Sequence, residues 1–129
     1  HRFHFPWEGT PTAAQQIKGS YYSVSPYALA GNFTRVFCEN KREFCLLKTE
    51  EKGDILLAPI GATMVGGIVE TYLPEQRVDK GAEMGYFKFG GSTVLILVDS
   101  DKIKIDPDIL QNTRSKLETY VKMGEQIGR

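Results

Sequence analysis

The chain has 129 residues, with 16 basic and 16 acidic side chains and a formal net charge of zero at pH 7. Because the charges are balanced and interspersed, the sequence predicts neither a nucleic-acid surface nor strong electrostatic attachment to anionic lipid. The length fits a single domain spanning residues 1–129, and the longest apolar runs are too short to cross a bilayer.

Short apolar segments separated by Gly, Pro and charged turns predict a mainly β fold of the α+β class. Residues 15–24 are expected to be extended, and Ser25-Pro26 interrupts them before a short apolar stretch at residues 27–30. Residues 55–58 are continuously apolar, which favours a strand buried on both faces.

A hairpin is predicted next, with strands at residues 34–38 and 43–48 on either side of a polar turn. Cys38 and Cys45 would then face each other, so a disulfide is geometrically feasible. Two cysteines are too few for a disulfide framework, and we expect both thiols to be free.

Three further strands are expected towards the end of the chain. Residues 64–72 form one, interrupted at Gly66-Gly67, where a second backbone would pass close. Residues 87–89 and 93–98 form the other two. The polar turn at residues 78–85 and the strand before it resemble the flattened β-barrels of biotinyl and lipoyl carrier domains, which implies a small barrel or sandwich.

The C-terminal part changes to a helical period. Asp106-Pro107 suits a helix start, and Asn112 or Thr113 can cap a second helical stretch in which Leu117, Tyr120 and Val121 share one face. We therefore expect a C-terminal helix that packs on the β domain.

A glycine-rich segment at residues 80–93, KGAEMGYFKFGGST, precedes the apolar run at residues 94–98. The ordinary interpretation of Gly-Gly-Ser-Thr is a tight turn between strands. Two glycines before Ser92 also permit a bent backbone and close approach to the carbonyl of Gly91, as a reaction at this bond would require.

Three blocks resemble the phosphatidylserine decarboxylases, in the same order as in that family. They are residues 1–9, HRFHFPWEG; residues 60–68, IGATMVGGI; and the Gly-Gly-Ser-Thr motif. The resemblance covers nearly the whole chain. The form of the cleavage motif and the LETYVKMG sequence at residues 117–124 are similar to the type II branch.

The resemblance implies a pyruvoyl enzyme that cleaves itself between Gly91 and Ser92. Residues 1–91 would become the β chain and residues 92–129 the α chain, which together form one unit, with Ser92 converted to the pyruvoyl cofactor. The implied reaction is decarboxylation of phosphatidylserine to phosphatidylethanolamine. No metal and no nucleic acid are expected, and the oligomeric state, a homodimer among the options, stays open.

The resemblance also implies that an upstream region precedes these residues. In the family that region carries the membrane-associating segment and an aspartate needed for cleavage. Peripheral attachment to a bacterial inner membrane or an organelle membrane is therefore expected from the resemblance.

Serine is a weak nucleophile without a base, and histidine is the usual base near neutral pH. The sequence offers His1 and His4. Residues three apart point to opposite faces of a strand but to one side of a bend, so the spacing leaves their roles open. By resemblance, His4 works with Ser92 and the upstream aspartate, and His1 handles protons during decarboxylation.

Residues 22–29 resemble a block that lines the family's substrate site, which makes Tyr22, Ser25 and Tyr27 the candidate substrate-binding residues. The family commonly has asparagine where Ser25 stands. Two alternatives remain: a related decarboxylase of a soluble, for example aromatic, amino acid, and a non-catalytic carrier or binding domain.

Overall fold

The computed structural model describes residues 1–63, 67–89 and 93–129. The predictions for residues 64–66, for Gly91 and for Ser92 lie outside the described residues. Within these ranges the secondary-structure elements are β1 (Arg2–His4), β2 (Thr10–Pro11), β3 (Gln15–Ile17), α1 (Pro26–Glu39), β4 (Arg42–Lys48), β5 (Asp54–Ile60), β6 (Gly67–Glu70), β7 (Glu83–Lys88), β8 (Thr93–Leu97) and α2 (Pro107–Arg114).

The strands form two antiparallel sheets. One has three strands in the order β1-β7-β6, and the other has the order β2-β4-β5-β8, with β3 also paired to β4. Core side chains come from both sheets, for example Phe3 and Phe87 from the first and Leu47 and Leu57 from the second. Neither sheet closes on itself within the described ranges, so the predicted α+β fold is confirmed and it is an open sandwich.

Alternation along β4 builds one wall of this core. Cys45 and Leu47 are buried between the sheets, whereas Leu46 is partly exposed and Lys48 is exposed. Fully burying a leucine such as Leu47 contributes roughly 1.5–3 kcal/mol relative to leaving it in water. In β5 both faces are buried from Leu57 onward, as predicted for residues 57–58, whereas Leu56 remains partly exposed.

A glycine lets three strands lie close together in the smaller sheet. A Cβ atom at Gly85 would lie 2.4 Å from the carbonyl oxygen of Val69 and 2.9 Å from Cζ of Phe3. The backbone approach expected at Gly67 is different: there the nearest atoms belong to the side chain of Lys88.

The strand predicted at residues 34–38 is wrong, because these residues belong to α1. Ser25 occupies the N-cap and its Oγ accepts a hydrogen bond from the N–H of Ala28 at 3.4 Å. Proline at the first helical position lacks an N–H that would have no partner there anyway. Ser25-Pro26 therefore starts a helix, and the hairpin partner of β4 is β5.

The two cysteines consequently do not face each other. Cys38 is exposed on α1, whereas Cys45 is buried on β4, and both thiols are free. Burial raises the pKa of the Cys45 thiol to about 11.

At the C-terminus, the predicted start at Asp106-Pro107 is confirmed, but the second helical stretch is wrong. Helix α2 ends at Arg114, and Lys116 has a left-handed backbone with φ of 60°. Asn112 caps nothing, because it lies inside α2 and its Nδ2 donates to Thr119 Oγ1 at 3.0 Å. Leu117 and Tyr120 are exposed, so no packed helical face forms there.

Candidate active site

Four strand ends meet at one end of the sandwich. Lys88, the last residue of β7, pairs with Gly67, and Thr93, the first residue of β8, pairs with Ile60. The chain passes from Phe89 to Thr93 in four residues, so these two Cα atoms lie at most about 14 Å apart. The predicted cleavage residues fall in this interval, and Ser92 is joined covalently to Thr93.

Phe89 leaves β7 in an unusual conformation. Its φ is 63°, and its ring is 81% exposed. A left-handed backbone costs a bulky residue roughly 1–2 kcal/mol. The segment that leads to the predicted cleavage site therefore begins at a strained residue whose apolar ring faces solvent.

His1 lies beside this strand end. Its carbonyl oxygen accepts a hydrogen bond from the N–H of Phe87 at 2.8 Å, and the residue is exposed. The structure therefore brings His1 next to the last residues of β7, where solvent and a substrate can reach it.

His4 lies further along the same strand pair. It is opposite Glu83, and the register slips by one residue between Phe3 and His4, with Met84 as the extra residue of β7. Phe3 and Phe5, on either side of His4, are both buried. His4 is thus held at the sheet by its neighbours and remains half-buried.

Nothing in the sequence singles out Glu83, the carboxylate opposite His4. It accepts a hydrogen bond from Thr71 Oγ1 at 3.0 Å and forms an ion pair with Arg2. The Thr71 hydroxyl first, and the Arg2 guanidinium next, lower the pKa of Glu83, and His4 adds a smaller effect in the same direction. Glu83 therefore stays ionised beside His4. Only the strand register shows that these two residues are neighbours.

The three substrate-binding candidates have different environments. Ser25 uses its hydroxyl as the helix cap, and Tyr27 is 95% exposed. The hydroxyl of Tyr22 accepts a hydrogen bond from Arg35 Nη2 at 2.9 Å, and the guanidinium lies 4.8 Å from the ring centroid. The structure therefore does not gather the three side chains into one pocket among the described residues.

Nothing in the sequence indicates a role for Asn40 either, but its side chain joins Tyr22 to the strand ends by hydrogen bonds. It is fully buried; its Oδ1 accepts from the N–H of Tyr22 at 2.9 Å, and its Nδ2 donates to the carbonyls of Tyr22 and Gly61. Thr63 Oγ1 also donates to the carbonyl of Tyr21, at 3.0 Å. The candidate substrate segment is thus fixed against the residues that follow Ile60.

An apolar groove runs from α1 to this end of the sandwich. It has a volume of about 210 Å³ and lies between α1 and the outer face of the larger sheet. Its lining residues are Phe37, Arg42, Phe44, Leu56, Ala58, Ile60 and Leu95. Because Ile60 pairs with Thr93, one end of the groove reaches the strand end that follows Ser92.

Comparison with known proteins identifies the family. The family model for phosphatidylserine decarboxylase matches residues 1–129. The chain belongs to the phosphatidylserine decarboxylase family. It is similar to the phosphatidylserine decarboxylase proenzymes of Fusobacterium nucleatum, at 55% identity, of Desulfitobacterium hafniense, at 52%, and of Clostridium botulinum, at 51%, each over 99% of this chain.

The phosphatidylserine decarboxylase relatives are longer than this chain, which spans 42–43% of their length. No solved structure matches it. The resemblance inferred from the three sequence blocks is therefore confirmed at the level of the family.

Two further features of this decarboxylase-family chain concern the described residues alone. Neither α1 nor α2 has the length and apolar character needed to cross a membrane. Within residues 1–63, 67–89 and 93–129, no cluster of three or more His, Cys, Asp and Glu side chains is arranged to hold a metal ion.

Proposed function

We propose that this chain is the catalytic portion of a phosphatidylserine decarboxylase, which forms phosphatidylethanolamine and carbon dioxide. The observation that carries the proposal is its identity of about one half to proteins named phosphatidylserine decarboxylase proenzyme, over 99% of its length. The Gly-Gly-Ser-Thr motif and the histidines of residues 1–9 supply the residue types that this chemistry needs.

Maturation begins at the bond between Gly91 and Ser92. The Ser92 hydroxyl attacks the Gly91 carbonyl and gives its proton to His4, so that an ester replaces the peptide bond. Elimination then releases the Gly91 carboxylate and leaves dehydroalanine at position 92. Water converts the dehydroalanine to the pyruvoyl group with release of ammonia, which leaves chains of residues 1–91 and 92–129. The position of His4 opposite the ionised Glu83 supports a role in proton transfer, because a carboxylate stabilises the imidazolium formed. Glu83 is then a positioning residue for His4.

The pyruvoyl group derived from Ser92 supplies an electron sink for the loss of carbon dioxide. This group would be attached to Thr93, the first residue of β8. The exposure of His1 and Phe89 fits such a group, because a large substrate needs access to this end of the sandwich. His1 is the residue that we assign to proton transfer at the substrate during decarboxylation.

The lipid substrate and the membrane are the expected partners. The exposed ring of Phe89 and the groove that reaches Ile60 provide apolar surface on two sides of the strand ends. We assign this surface to the acyl part of phosphatidylserine, with the protein attached peripherally to the membrane. Tyr22 is retained as a substrate-side residue because Asn40 fixes its backbone beside Gly61.

The activity is tested with full-length protein on vesicles that contain phosphatidylserine, by following phosphatidylethanolamine and carbon dioxide. Wild type and a Ser100→Ala control should be active, and Ser92→Ala should be inactive. Activity on free aromatic amino acids and none on vesicles would indicate the related soluble-substrate enzyme. No activity on either, from a folded and uncleaved protein, would indicate a binding domain.

A further inference from the structure

A carboxyl group of β4 points into the core of the sandwich. Glu43 shares the inner face of β4 with Cys45 and Leu47, and it is only 3% exposed. Gln16 of β3 pairs with Glu43, and its Nε2 donates a hydrogen bond to Glu43 Oε1 at 2.9 Å. A carboxyl group so deeply buried needs hydrogen bonds and a partner that limits its charge.

A second carboxyl group enters the same space from the opposite sheet. Glu70 ends β6, and Ile68 and Tyr72, two residues before and after it, both pack against the core. Glu70 Oε1 is shielded from solvent and has no hydrogen-bond partner among the described residues. The Tyr72 hydroxyl donates to the carbonyl of Thr12 at 2.9 Å.

The two carboxyl groups are close enough for each to shift the pKa of the other, and Glu70 Oε1 has no donor among the described residues. Ionised carboxylates are acceptors only, so the two groups can hydrogen-bond to each other only when one of them is protonated. Two adjacent negative charges in an apolar core would also repel each other strongly. The contact therefore fits a neutral acid donating to a carboxylate.

We propose that Glu43 and Glu70 form a proton-binding site, in which one shared proton joins the two sheets of the sandwich. The smaller sheet carries His1 and His4, and the larger sheet carries Thr93, so the site connects both parts of the candidate active site. Loss of the proton leaves two like charges between the sheets and weakens their contact at this point.

The groups that face the pair decide which carboxyl holds the proton. Burial raises the pKa of Glu43, whereas Lys41, Glu70 and then Gln16 oppose the rise by favouring its ionised form. Burial, and then the charge of Glu43, raise the pKa of Glu70 to about 7, and the nearby Tyr72 side chain opposes the rise. Cys45, the remaining titratable neighbour, stays a neutral thiol at these pH values. Glu70 is thus the carboxyl that carries the proton.

The direction of the pH effect follows from these pKa values. The ordinary glutamate pKa of 4.5 applies to the unfolded chain, and the folded value for Glu70 is higher. Stabilisation by the shared proton is therefore complete below about pH 4.5 and is lost as pH rises through about 7.

Cys45 reports on this contact, because it is buried on the same face of β4. In the full-length protein with Cys38→Ser, the rate of Cys45 modification by a thiol reagent is measured by peptide mass spectrometry from pH 5 to 8. The protection of Cys45 is the rate for the unfolded chain divided by the rate for the folded protein at the same pH, so ionisation of the thiol itself cancels. We expect this protection to fall roughly tenfold from pH 5 to 8.

Glu70→Gln imitates the protonated acid and should make the protection of Cys45 independent of pH. The exposed Glu51→Gln is the matched control and should behave as wild type. Glu43→Gln replaces the acceptor side with a neutral amide and should also remove the pH dependence, which keeps the test valid if Glu70→Gln does not fold. Protection that is constant in wild type, or that falls equally in both variants, would overturn the proposal.

Discussion

Asn40 and Tyr22 hold each other by a reciprocal pair of hydrogen bonds. The N–H of Tyr22 donates to Asn40 Oδ1 at 2.9 Å, and Asn40 Nδ2 donates to the carbonyl of Tyr22 at 2.8 Å. The same amide reaches Gly61 at 2.9 Å. One buried side chain thus satisfies three backbone groups and joins the segment before α1 to the end of β5.

Replacing Asn40 with Ala should lower the free energy of unfolding by about 2 kcal/mol, because buried backbone groups lose their partners. Chemical denaturation measures this value. Asn32→Ala, at an exposed position of α1, is the control and should change stability far less. Equal stability of the two variants would show that the Asn40 bonds contribute little.

Gly85→Ala should destabilise the protein by about 1–3 kcal/mol, because its new methyl group would overlap the carbonyl of Val69. Gly31→Ala makes the same chemical change in α1, where nothing lies within 4 Å, and should stabilise the helix by up to about 1 kcal/mol. Thermal unfolding of the two variants should therefore shift in opposite directions. A shift in the same direction would contradict the close strand packing.

Phe89→Gly should be tolerated, because glycine adopts the left-handed backbone of this position without strain. Phe89→Val should be less stable than Phe89→Gly by about 1–2 kcal/mol, since a branched side chain is least suited to that conformation. Lys88→Gly tests the neighbouring strand position and should lose stability through weaker β structure. If Val and Gly at position 89 proved equally stable, the left-handed conformation would be wrong.

Thr71→Val should raise the pKa of Glu83 towards its ordinary value, because it removes the hydrogen bond that lowers this pKa most. Carboxyl titration by nuclear magnetic resonance measures the change. In wild type the lowered pKa means that Glu83 stabilises the fold above about pH 4.5 and that this contribution is lost as pH falls. Arg2→Gln should raise the pKa as well. An unchanged Glu83 titration in both variants would contradict the arrangement around His4.

Gly91→Val should block maturation without unfolding the domain, because a branched side chain hinders approach of the Ser92 hydroxyl to the preceding carbonyl. A denaturing gel reports cleavage and circular dichroism reports the fold. A folded protein that still yields two chains would refute this role of the glycine.

The strands that follow local rules were predictable from the sequence. The alternation in β4 and the apolar runs of β5 and β8 specify strands through residues that are neighbours in the chain. Helix α1 is not evident from the sequence although Leu29, Phe33 and Phe37 repeat at helical spacing, because the polar residues 39–43 also suit a hairpin turn before β4. Its start depends on Ser25 and Pro26, which occur equally in turns.

The contacts between distant residues were not predictable in the same way. The family blocks and the two histidines could be recognised, but the position of Glu83 opposite His4 depends on the pairing of β1 with β7. Likewise, Glu43 and Glu70 are ordinary charged residues in the sequence and meet only because their strands belong to facing sheets. Asn40 lies in a polar connection that resembles a turn.

The intact mass of the full-length protein under denaturing conditions tests self-cleavage between Gly91 and Ser92 most directly. We predict two chains that separate between Gly91 and Ser92, with a pyruvoyl group at the start of the second chain. Ser92→Ala should give one intact chain. A single unmodified chain from folded wild-type protein after prolonged incubation would contradict the proposal that Ser92 becomes the catalytic group.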